Sequence, residues 1–297
     1  MFSNVLVGVD GGLGGRDAIA LAALLAAPAS PLTFAHVYRG RAGGRVSALA
    51  EPLRVESSDQ LLGRAVAEAG VQAATVSACD SSVGRGLHRV AEQRKSDLLV
   101  VGSCHRGTLG RALLGDDARR ALNGAPCPVA IAPTGYSSVT PRLACIGVGC
   151  DRSAESAQAL HVAHVLAARH DATVSALAVV SVQEIPYGEP IPEQWPKIAG
   201  ELAVDELHRL DDLEDVDGDA TYGDPGEELA AFSAKLDLLI VGSRCYGPIG
   251  RLFNGSTSNY LERHARCGLL VLPRGASSLG RQGAGEAGRI TVEAGGR

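Results

Sequence analysis

Aromatic side chains make up 4% of the 297 residues, with one Trp and one Met. A core must therefore be assembled from Ala, Val and Leu, and the 45% hydrophobic content supplies them. No apolar stretch reaches the roughly 20 residues of a membrane span. Met1-Phe2-Ser3-Asn4 runs straight into an apolar segment, without a charged n-region or cleavage signal, so the expected location is the cytoplasm. The seven cysteines are scattered and none forms a C-x-x-C pair, which favours reduced thiols over a disulfide framework. A net charge of -5, without a basic tract carrying aromatics, argues against nucleic acid and anionic membranes as partners. No Ser/His/Asp or Cys/His set stands in a motif context that would make a nucleophile. His161 and His164 are spaced i, i+3 but lack a carboxylate or thiol partner, so no metal site is expected.

What the chain does have is a long repeat. Leu98-Leu99-Val100-Val101-Gly102-Ser103 returns as Leu238-Leu239-Ile240-Val241-Gly242-Ser243. Each copy passes through a glycine-rich turn to a further glycine, Gly115 or Gly255, and then to Ala-x-Cys before a last apolar run closed by proline. A repeat of this length is a duplicated domain, not a solenoid unit.

Apolar runs alternate with helical patterns in both halves. In the first, strands are expected at 4–9, 32–38, 71–78, 98–101 and 129–132, and helices at 17–27, 52–69, 82–93 and 116–123. A Gly/Arg-rich loop is expected at 39–51. In the second half, strands are expected at 144–150, 173–182, 236–241 and 269–272, with helices at 156–169 and 197–213. A proline-rich crossover takes 185–196, and the acidic stretch 205–219 reads as a solvated face, lacking the glycine and terminal Glu of a calcium loop. Such alternation implies a parallel sheet with helices on both faces, and ligands bind such sheets at the carboxyl ends of the strands. The expected division is 1–134, a linker at 135–142, 143–275, and a disordered tail at 276–297.

A strand ending in Asp, a strand ending in V-G-S, a G-x-x-G turn, nine residues, G-S/T, and Cys before a last strand resemble the universal stress protein family in its tandem form. The resemblance covers nearly all of 2–274. It implies two Rossmann-like domains, each a five-stranded parallel sheet of order 3-2-1-4-5 with helices on both faces. It also implies an adenine nucleotide, ATP or a relative of it with Mg as companion ion, bound by a stress-response regulator and not a catalyst. The alternatives are a nucleotide-free protein-interaction module and, more weakly, a slow ATPase. Family members pair through their last strands, so 129–132 and 269–272 should meet in an intramolecular pseudo-dimer, and two chains can associate into a homodimer.

The physical reason for the motif is simple. Glycines let backbone approach a phosphate chain, and Gly-Ser/Thr at a helix N-terminus offers N–H groups and a hydroxyl to an anion. The second half keeps this end: Gly255-Ser256-Thr257 match, Asp151 is the strand-end Asp, and Gly242, Ser243 and Arg244 follow. Cys245 stands at the second glycine, where a side chain restricts backbone approach. Cys150 and Val179 complete the expected second-half set. The first half has weaker candidates in Asp10, Val37, Gly102, His105, Gly115 and Asp116. His105 replaces the second glycine and reads as a loop histidine before a phosphate contact. Asp116 would repel phosphate and itself cap the helix, which argues against a triphosphate there, or for a weaker or metal-bridged one. Asp10 and Asp151 either cap the next helix or touch ligand. Cys127 and Cys267 read as small buried hydrophobes, not redox sensors.

Overall fold

The computed structural model describes residues 1–39, 45–103, 121, 123–181, 195–243 and 255–273. In the first half the elements are β1 (Val5–Gly8), α1 (Leu13–Leu25), β2 (Leu32–Arg39), α2 (Arg45–Ala69), β3 (Ala73–Asp80), α3 (Val83–Arg94), β4 (Leu98–Gly102) and β5 (Val129–Ala132). A 3-10 turn at Tyr136–Ser138 leads to the second half. There follow β6 (Cys145–Cys150), α4 (Ala154–His170), β7 (Thr173–Ser181), α5 (Trp195–Asp211), β8 (Asp217–Gly223), α6 (Pro225–Phe232), β9 (Leu238–Gly242), α7 (Ser256–His264) and β10 (Gly268–Leu272).

The strands form one ten-stranded sheet, ordered β3-β2-β1-β4-β5-β10-β9-β6-β7-β8. Each half is thus parallel and in the order 3-2-1-4-5, mirrored about the centre. At that centre β5 and β10 run antiparallel, with Ile131 opposite Leu269 and Val129 opposite Val271. The last strands of the halves cover each other's edges, which removes two free hydrogen-bonding rows from the surface.

Because the sheet is buried on both faces, successive residues of one strand enter different cores. Val5 and Val7 join one cluster, with Ala130, Ala132, Leu270 and Leu272. Leu6 joins the other, with Val129, Ile131, Leu269 and Val271. Both clusters run through both halves, so the halves share their hydrophobic interior. Helices add to this: at the end of α4, Arg169 donates to the Ala26 carbonyl and His170 Nε2 lies 3.0 Å from the Leu24 carbonyl, both at the end of α1. Two aspartates just ahead of β4 and β9 fix the incoming strands in the same way. Asp97 accepts from the Ser3 and Asn4 amides (2.7 and 2.9 Å), and Asp237 from those of Ala144 and Cys145 (2.7 and 3.0 Å).

Several elements differ from the sequence expectation. Helix α1 begins at Leu13, four residues before the expected start at Asp17. Asp17 is fully buried and accepts from Gly135 N, Ser137 N and Ser137 Oγ (2.8, 2.7 and 2.6 Å), so it anchors the connector between the halves. Helix α2 begins at Arg45, inside the expected loop, and carries Pro52 within it. Strand β8 lies in and beyond the acidic stretch expected to be a solvated face; as an edge strand it needs no apolar run. Helix α6 was not foreseen, although Asp224-Pro225 is a plain start signal, with Asp as cap and Pro at the first position. Most of the expected helix at 116–123, most of the crossover at 185–196 and the tail at 276–297 lie outside the described residues.

Candidate functional site

The carboxyl ends of β6, β7 and β9 open into a cavity of about 780 Å³. Cys150, Asp151, Val179, Gly242, Ser243, Gly255, Ser256 and Thr257, all named from the sequence, line it together. Arg244 and Cys245 lie outside the described residues, as do His105, Gly115 and Asp116 of the first half.

Three helices start on this cavity, and their first turns differ in one respect. At α4, Ser153 Oγ accepts from Ser156 N (3.1 Å), and Asp151 Oδ1 accepts from Ser153 N (2.8 Å). At α6, Asp224 Oδ1 accepts from Gly226 N and Glu227 N (2.8 and 3.1 Å). At α7 the capping residue is Gly255, which has no side chain to occupy the amides, and the first turn holds no acidic residue. Ser256, Thr257 and Ser258 face the cavity there. Amide donors, hydroxyls and the positive end of the helix dipole therefore converge on one end of the cavity, the arrangement that attracts an anion.

The rest of the wall is largely apolar, with one paired charge network. Leu177, Val179, Leu229 and Val241 line it, with Leu202, itself 41% exposed, at the mouth. Arg152 Nε donates to Glu206 Oε1 (2.6 Å) and Arg209 Nε to Glu206 Oε2 (2.8 Å). Burial alone would raise the Glu206 carboxyl, but the hydrogen bonds and charges of the two arginines outweigh it and hold its pKa below the usual 4.5. Glu206 is thus the exception within the acidic stretch: half-buried, paired and part of the site. Cys150 is the opposite case. Burial dominates, Arg209 offsets it weakly, and the thiol is pushed up to about 12, so it stays protonated and acts as a small apolar wall. Cys127 and Cys267, ahead of the last strands, are likewise buried and pushed up to about 12 by burial.

Both strand-end aspartates hold backbone amides where the next helix begins. Asp10 Oδ1 accepts from Gly12 N and Gly15 N (2.9 and 3.0 Å), as Asp151 does from Ser153 N. Asp151 also lines the cavity, so the two roles left open by the sequence are compatible for it. Gly242 has a packing reason of its own: a Cβ there would stand 2.5 Å from Glu155 Cβ in the first turn of α4. Gly102 is tighter, 2.0 Å from the Gly14 carbonyl oxygen of α1. Val37 is buried under α3, where a Cβ on Gly86 would lie 2.5 Å from its Cγ1. Arg152, Ser153, Glu206 and Asp224 were not singled out from the sequence. Of these Ser153 and Asp224, each a helix cap, carried a local signal. Among the described residues no group of three His, Cys, Asp or Glu could hold a metal ion, and no helix is long and apolar enough to cross a membrane.

A mirrored pair of doubly wound α/β units, with a cavity beyond the strand ends and an uncapped helix start inside it, defines the class of protein. The universal stress protein family model matches residues 1–133 and again 145–273, and the chain belongs to that family. The universal stress protein Rv2319c of Mycobacterium tuberculosis is 29% identical over 204 residues, covering 65% of this chain and 69% of that one. The crystal structure of a universal stress protein from Archaeoglobus fulgidus superposes with a TM-score of 0.65 at 17% identity, covering 92% of this chain and 99% of that chain. A putative universal stress protein from Pseudomonas aeruginosa gives a TM-score of 0.62 at 16% identity, covering 92% and 94%. At these identities the two structures speak for the fold alone.

Proposed function

We propose that this universal stress protein binds an adenine nucleotide, ATP in the first instance, in the second-half cavity and acts as a nucleotide-dependent regulator. One observation carries the reading: of the three helix starts on the cavity, only that of α7 keeps its amides clear of a side-chain cap. Phosphate oxygens would be taken by the amides and hydroxyls of Ser256 and Thr257. The apolar wall of Leu177, Val179, Leu229 and Val241 suits a planar base, and Asp151 offers an acceptor to an amino or ribose hydroxyl group. Magnesium would arrive with the phosphates, since Asp151, Glu206 and Asp224 already hold hydrogen-bond partners. Among the described residues no histidine lines the cavity, which favours binding over general-base catalysis. In this reading the protein works in the cytoplasm, and two chains associate beyond the internal pairing of halves.

The test is calorimetric titration of the full chain with Mg-ATP, because the halves share one sheet and two cores. One site per chain is expected. Ser256→Asp, which brings the first half's acidic residue to this helix start, should weaken it at least roughly tenfold, about 1.4 kcal/mol. Absence of binding, or equal affinity in that variant, would overturn the reading in favour of a nucleotide-free interaction module.

A further inference from the structure

A second cavity, of about 310 Å³, lies between α1 and α2 of the first half. It is at the lower end of the range for small-molecule sites, about 300–1,000 Å³. Ile19, Ala20 and Ala23 form its wall on α1, and Leu61 and Ala65 its wall on α2. None of these residues belongs to the cavity beyond the strand ends of the second half.

The two halves differ at the α1 wall. Gly14 lies over Gly102 as Glu155 lies over Gly242, which puts Ala20 and Ala23 level with His161 and His164. The first half thus carries the smaller side chain at both positions, and Ala20 and Ala23 line the cavity. One end of the trough is closed by Leu61, which packs against Gly11: a Cβ there would stand 2.8 Å from Leu61 Cδ1.

Charge at the rim is unbalanced. Arg16 Nη1 lies 3.5 Å from Glu68 Oε2, so these two offset each other. Arg64 also lines the cavity and makes no ion pair among the described residues. An apolar trough with one uncompensated guanidinium suits a ligand with an apolar body and a single carboxylate, which a guanidinium can hold through two parallel hydrogen bonds.

We propose that this cavity binds a small amphipathic carboxylate of the medium-chain fatty-acid type, with its chain between Ala20, Ala23 and Leu61 and its carboxylate at Arg64. The occupant also meets Ser137, which lines the cavity and is held by Asp17, so it touches the connector between the halves. The site is independent of the nucleotide reading.

The experiment is calorimetric titration of the full chain with sodium decanoate, alone and with saturating Mg-ATP. One saturable site is expected, unaffected by ATP. Ala20→Leu/Ala23→Leu should weaken it at least roughly tenfold and Arg64→Gln roughly fivefold, the latter leaving decanol binding unchanged. Circular dichroism checks that the filled variant is folded. If it is not, Arg64→Gln, a change at an exposed side chain, decides alone. No saturable binding, affinity unchanged by Arg64→Gln, or competition by ATP would each overturn the proposal.

Discussion

At the end of its fourth strand each half sets a glycine against the first turn of its first helix: Gly102 under Gly14, Gly242 under Glu155. Each also packs a leucine, Leu87 or Leu229, on a glycine of its first strand, Gly8 or Gly149. Away from these contacts the halves part. The loop after β1 carries Gly11 against Leu61, whereas the loop after β6 carries Arg152 in an ion pair with Glu206. The first turn of α3 presents Arg85 to Asp80, while α6 begins with Glu227 and Glu228. Contacts that set the spacing of helix and sheet are fixed by volume, and a Cβ is enough to break them. Rim positions are open to solvent on one side, so their charge can change sign without disturbing the sheet. The duplication thus kept one scaffold and left two surfaces free to diverge.

The glycine pair gives the sharpest way to break the comparison. Gly102→Ala should cost about 3 kcal/mol, since the new Cβ meets backbone, and Gly242→Ala about 2 kcal/mol, since it meets the Glu155 side chain first. Urea unfolding of the two variants checks the order; equal effects would show that the helices shift freely. Next comes the connector. Asp17→Ala removes three hydrogen bonds to Gly135 and Ser137 and should cost about 2 kcal/mol. Gln158→Ala, at the level position in α4, should stay within about 0.5 kcal/mol.

Glu206 tests charge, not packing. The Glu206 carboxyl is lowered in the folded state, so the Arg152–Glu206–Arg209 network contributes fully above pH 4.5 and is lost as pH falls through the folded value. In the first half the lowered carboxyl is Asp80, at the end of β3: burial opposes, but the Arg85 hydrogen bond and the Ser82 amide win, and its pKa is lowered below 3.8. Glu206→Gln should therefore flatten the acid loss of stability by no more than about 1 kcal/mol, because Arg152 is largely exposed. Comparing unfolding midpoints at pH 7 and pH 4 measures this. An unchanged acid slope would mean that the network adds nothing to stability.

Much of this was legible in the chain. The runs that became β1, β4, β5, β6, β9 and β10 are continuous and apolar because both their faces are buried, and such runs announce themselves. Strand β8 did not, since its Asp217 and Asp219 point outward from an edge. The start of α1 is hidden by the glycines in its first turn, so the apolar pattern opens only at Asp17, which lies inside the helix. The cavity residues Asp151, Gly255, Ser256 and Thr257 followed from a local pattern. Glu206 could not, because its meaning depends on Arg152, 54 residues away.

The sequence alone determined the duplication, the alternating strands and helices, and the glycine that leaves the start of α7 uncapped, for all of these are written in neighbouring residues. Only the tertiary structure decided that β5 and β10 join the halves antiparallel into one sheet, that Glu206 sits between two arginines at the cavity mouth, and that Ala20 and Ala23 leave a trough beside Arg64. Each of those depends on segments far apart in the chain being brought within a few ångströms by packing, and no local periodicity encodes that approach.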